Sequence, residues 1–101
     1  MPIKAILQTI AGKKLDQAED SGYSLAAIWP FNDRSFPLLQ YIDPYGNAVF
    51  NGLQMSEVQK ELDLLIRRAA NDEQRNTLRR IRELSVTCER QPHTFLRFAG
   101  D

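Results

Sequence analysis

The sequence predicts a single α+β domain: an antiparallel sheet of about five strands, with two helices from the C-terminal half packed on one face and a closing C-terminal strand. Three observations carry that prediction. Strand-like runs fill the first half and return once at the end. Two amphipathic segments separated by a short break occupy the stretch between Ser56 and Pro92. Of 101 residues, 43% are apolar, which supplies one modest core over residues 1–101 and leaves no material for a separate module.

Ile3 to Ile10 is apolar and β-rich, Ala11-Gly12-Lys13-Lys14 reads as a turn, and Leu15 to Ala18 reads as a weaker returning strand. Asp20-Ser21-Gly22 breaks the chain. Ser24 to Trp29 fits one and a half turns of helix started by Ser24, with a strand as the alternative. Pro30 and Pro37 bracket a loop that carries Phe31 and Phe36, since regular structure does not run past either proline. A second hairpin is expected from Leu38–Asp43 and Asn47–Asn51. It would turn at Asp43-Pro44-Tyr45-Gly46, where proline presets φ and glycine accepts a positive φ.

Ser56 and Gln59 have the spacing of a capping box, so a helix is expected to start there. Val58, Leu62, Leu65, Ile66 and Ala69 form its apolar stripe, and Asp63 with Arg67 forms a favourable i, i+4 pair. Asn71-Asp72-Glu73 then supplies a break, a new cap and acidic first-turn residues. Leu78, Ile81, Leu84, Ser85 and Cys88 line one arc of the second helix. Pro92 stops it, and Thr94 to Phe98 reads as the closing strand.

The same sequence narrows the chemistry. One histidine, His93, and one cysteine, Cys88, cannot assemble the usual four-ligand zinc site, and no calcium-loop or phosphate-loop pattern is present, so neither metal nor cofactor is expected. A Cys88–His93 dyad would depend on an accident of the turn between them. The lone cysteine, an amino terminus without a signal-peptide pattern and no apolar run of about 20 residues point to a cytoplasmic protein that does not span a membrane.

Net charge is zero but unevenly placed. Residues 67–97 hold eight arginines against four acidic residues, an excess of four positive charges that the rest of the chain balances. Arg75, Arg79 and Arg82 fall at i, i+4 and i+7 on one helix face, a candidate stripe for phosphates or an acidic partner. Trp29, Phe31, Arg34, Asp43, Tyr45 and Asn47 collect on two connections. Aromatic and arginine side chains on loops are the types that most often anchor interfaces.

The segment Phe36-Pro37-Leu38-Leu39-Gln40-Tyr41-Ile42-Asp43-Pro44-Tyr45-Gly46-Asn47-Ala48-Val49-Phe50-Asn51-Gly52-Leu53-Gln54, with Phe98-Ala99-Gly100-Asp101 at the end, resembles a group of small bacterial proteins of similar length that have no assigned function. The resemblance implies a bacterial source and a stand-alone domain, and it carries over no active-site residue.

The expected function is that of a non-enzymatic intracellular binding protein, most concretely a bacterial immunity protein that neutralises a toxin. The alternative is a small nucleic-acid-binding domain using Arg75, Arg79 and Arg82. An enzyme built on Asp43 and Arg34 ranks last, because no general acid and base accompany them.

Overall fold

A computed structural model describes residues 3–20, 24–42 and 46–99. Strands β1 (Lys4–Thr9) and β2 (Lys14–Glu19) form the expected first hairpin. The Thr9 N–H donates to the Lys13 carbonyl at 2.9 Å, and Gly12 takes a left-handed φ of 89°. Among the described residues, no atom beyond its chain neighbours lies within 4 Å of where a Gly12 Cβ would stand, so backbone conformation rather than crowding favours glycine there.

The second hairpin is replaced by something else. Leu39–Tyr41 is a short 3-10 turn, and Asp43, at the end of the expected strand, lies outside the described residues. Strand β3 (Asn47–Asn51) pairs with the last strand, β4 (Thr94–Ala99), from Asn47 opposite Ala99 to Asn51 opposite Phe95. Strand β4 also pairs along its whole length with β1. Among the described residues the sheet therefore has four antiparallel strands rather than about five, in the order β2-β1-β4-β3. The chain after Pro37 leaves strand geometry because its amides find a side-chain acceptor on a helix, as described below.

Asn51 and Gln54 form a capping box around a 3-10 turn at Gly52–Gln54. The Leu53 N–H donates to Asn51 Oδ1 at 3.0 Å, and the Asn51 N–H donates to Gln54 Oε1 at 2.9 Å. Helix α1 (Met55–Arg68) continues directly from that turn, so Ser56 lies inside the helix instead of capping it. Helix α2 (Asp72–Arg90) starts where expected. Asn71 Oδ1 accepts the Gln74 N–H at 2.8 Å, and Asp72 and Glu73 occupy the positive end of the helix dipole.

Helix α2 lies across β2, β1 and β4, and α1 packs against α2. Val58, Leu62 and Leu65 of α1 meet Leu78, Ile81, Leu84 and Cys88 of α2 in one core, with Ala5, Leu7, Leu96 and Phe98 from the sheet. Ile66 and Ala69, at the edge of the α1 stripe, are half-buried. Asp63 does not turn to Arg67. It bridges the helices, accepting Arg82 Nε at 2.7 Å and Nη2 at 3.2 Å. Strand alternation sends Thr94, Leu96 and Phe98 into the core and leaves Phe95, Arg97 and Ala99 on the opposite face. Among the described residues, no helix is long and apolar enough to cross a membrane.

Candidate functional site

Residues 28–42 contain no helix or strand beyond the 3-10 turn at Leu39–Tyr41, yet side chains fix them at four points. Trp29 is the first. Its indole Nε1 donates to the Leu39 carbonyl at 3.2 Å, and its ring lies 6.1 Å from that of Phe98. With 5% of its surface exposed, Trp29 belongs to the core and not to the contact surface expected from the sequence. The largest apolar side chain gains most from burial, and its one polar atom finds an acceptor inside.

The second anchor is Asp33. One carboxylate oxygen accepts the Ser35 N–H at 2.9 Å, and the other faces Arg68 Nη1 at 3.4 Å. The Ser35 N–H holds the Asp33 carboxyl below its ordinary value, and Arg68 acts in the same direction. The third is Phe36, fully buried, with the Arg68 guanidinium 4.8 Å from its ring centroid. Arg68 thus clasps the loop through a carboxylate and a ring at once.

Glu61 is the fourth anchor, and nothing in the apolar pattern of α1 marks it. Its side chain is buried, and Oε1 accepts the Leu39 N–H at 2.9 Å and the Leu38 N–H at 3.0 Å. A carboxyl from one helix therefore caps the 3-10 turn of a distant loop, satisfying donors that would otherwise lie unpaired in the interior. Burial, followed by a hydrogen bond with Glu57, raises the Glu61 carboxyl to about 7, against the opposing pull of the Leu39 and Leu38 amides.

Among the side chains this segment presents to solvent are Phe31, Arg34 and Tyr41, beside the smaller Asn32, Ser35 and Pro37. Tyr41 is 73% exposed and Phe31 37%. Of the other expected contact residues, Asp43 and Tyr45 lie outside the described residues. Asn47 is exposed, but it belongs to the sheet, where its Oδ1 accepts Arg97 Nη1 at 2.9 Å. The strand expected over Leu38–Asp43 would pair Tyr41 within a hairpin, whereas the 3-10 turn at Leu39–Tyr41 leaves it exposed.

A second feature lies at the end of the sheet where β3 stops and β4 begins. A groove of about 570 Å³ runs between Leu53, Ile10, Phe95 and the Gln91-Pro92-His93 connection. Leu53 is 93% exposed and Ile10 68%. Cys88 and His93 both line it, but the thiol is buried, its Sγ sits 3.7 Å from the Thr94 carbonyl, and burial pushes its pKa up. Burial favours the neutral thiol, and Cys88 packs with the core of α2.

The arginine stripe is largely engaged. Arg75 Nη1 meets Asp72 at 2.6 Å and its Nη2 meets the Ala69 carbonyl at 3.2 Å, while Arg82 is the partner of Asp63. Arg79 is exposed between them. Among the described residues, no group of three or more histidine, cysteine or acidic side chains is placed to hold a metal ion. No family model, curated protein or solved structure matches the chain.

Proposed function

We propose that this chain is a non-enzymatic binding domain, and most specifically a bacterial immunity protein that neutralises a toxin by covering it. One observation carries the reading: a segment with only one short 3-10 turn is held by Trp29, Asp33, Phe36 and Glu61 while Phe31, Arg34 and Tyr41 stay exposed. Fixing a loop before binding reduces the conformational entropy lost on association, so its exposed aromatic and arginine side chains contribute more of their contact energy to affinity. Phe31, Arg34 and Tyr41 are the residue types that dominate such energies. Partner, bacterial source and cytoplasmic location belong to the same proposal.

The nucleic-acid alternative draws less support from the geometry. Two of its three arginines already neutralise carboxylates, and a phosphate would have to displace Asp72 or Asp63 to reach them.

Co-expression with the product of the adjacent gene tests the reading. The expected result is rescue of growth together with a co-purifying complex, both lost in Phe31→Ala/Arg34→Ala while the unfolding midpoint is unchanged. Neither complex nor rescue with the parent chain would refute it.

A further inference from the structure

The two edges of the sheet are built differently. Edge strand β2 carries Lys14, Asp16 and Glu19, its register with β1 shifts at Leu7/Gln8, and Arg80 Nη2 reaches the Gln17 carbonyl at 3.4 Å. Charge, irregularity and a covering side chain are the usual means of keeping an edge from pairing. Edge strand β3, Asn47-Ala48-Val49-Phe50-Asn51, lacks charge and irregularity, and the one side chain that covers it is Gln54, at its Asn51 end. It carries no charge and no proline, and it keeps an unbroken register of five pairs with β4. Among the described residues, its backbone makes no hydrogen bond beyond β4 and Gln54.

The direction of its outward groups follows from one contact. The Asn51 N–H is taken by Gln54 and so faces away from β4. Backbone groups alternate sides along a strand, so those of Val49 and Asn47 also point to the open edge. The sequence of the strand is close to symmetrical about Val49. Laid antiparallel against itself with Val49 opposite Val49, it sets small Ala48 against large Phe50 and Asn47 against Asn51. No like charges meet, and the amides can hydrogen-bond across the pair. Val49, half exposed on the uncovered face, would meet its own copy there.

We propose that β3 is the pairing edge of a homodimer, in which a second copy joins β3 to β3 about a two-fold axis at Val49 and the two sheets become one of eight strands. The central pair exchanges two N–H···O bonds, and each Asn47 N–H reaches the Asn51 carbonyl of the other copy. Five residues of pairing fall short of the roughly 800 Å² per partner of a standard interface, so the dimer is weak and concentration-dependent. It is independent of the toxin-binding reading, since it uses neither Phe31 nor Arg34.

Sedimentation equilibrium of the parent from about 10 μM to about 1 mM tests it in the range where weak interfaces dissociate. The mass should climb from 11.6 kDa towards twice that value. Val49→Lys puts like charges opposite each other across the two copies and should stay at the monomer mass throughout, with unchanged circular dichroism and a slightly lower unfolding midpoint, because the new ammonium also faces Arg97 of β4. If that variant fails to fold, oxidation of Val49→Cys in a Cys88→Ser background decides. The expected Cα separation of about 5.5 Å across the pair lies within disulfide reach, so a covalent dimer linked at position 49 should form. A parent that remains monomeric at the highest concentration, a dimer that survives Val49→Lys in a folded protein, or no linkage where oxidation must decide would each overturn the proposal.

Discussion

Glu61 offers the sharpest quantitative test, because its carboxyl couples the loop to pH. Two carboxyls hydrogen-bond to each other only by sharing a proton. At low pH the Glu61 carboxyl accepts the Leu38 and Leu39 amides and carries the proton that it shares with Glu57. The folded value of about 7 lies above the ordinary 4.5. The stability linked to that proton is therefore fully present below pH 4.5 and is lost as pH rises through about 7. At about 1.4 kcal/mol for each pH unit, the interval corresponds to about 3 kcal/mol. Urea denaturation followed by Trp29 emission reads it well, since that indole is bonded to Leu39 itself. Glutamine keeps an acceptor for both amides and does not titrate. The parent should therefore lose up to about 3 kcal/mol relative to Glu61→Gln on going from pH 4.5 to pH 7. Parallel pH profiles for the two proteins, or a difference of opposite sign, would refute the reasoning. Glu61→Ala leaves two amides without their acceptor and should cost about 2 kcal/mol or more at every pH.

Leu65 is fully buried between the helices, and Leu65→Ala should destabilise the protein by about 2 to 5 kcal/mol in the same denaturation assay. Asn71→Ala removes the acceptor for the Gln74 N–H and should cost about 1 kcal/mol, read as a lower unfolding midpoint. Replacing Arg75, Arg79 and Arg82 together with glutamine should leave retention on heparin or RNA at the background level of the parent. It should also lower stability slightly, because the Arg82–Asp63 bridge between the helices is lost. Strong, salt-sensitive retention of the parent would instead favour the nucleic-acid reading.

The helices and the first hairpin were legible because their information is local: apolar period, Asn71 as cap, Gly12 in the turn. The closing strand was legible too, between Pro92 and the chain end. What escaped was non-local. Leu38 to Ile42 has the apolar content of a strand, but its amides are claimed by Glu61, 22 and 23 residues away in sequence. No pattern in one sequence reveals that a glutamate on an apolar helix face is a cap for another segment. The pairing of β3 with β4 instead of its predecessor is of the same kind. The helix entrance shows a different failure, since Asn51-x-x-Gln54 and Ser56-x-x-Gln59 carry equivalent spacing and only the end of β3 selects the first. Among the candidate contacts, Phe31 and Arg34 are exposed. Trp29 is not, because ring size and the Leu39 carbonyl draw it inward.

Amide hydrogen exchange at Leu38 and Leu39 addresses most directly whether the loop is fixed before any partner arrives. Both N–H groups are held by Glu61 under the cover of α1, so they should exchange as slowly as the buried-helix amides of Leu62 and Leu65, and that protection should vanish in Glu61→Ala. Exchange of Leu38 and Leu39 at the rate of an unstructured peptide, while Leu62 and Leu65 remain protected, would contradict the account.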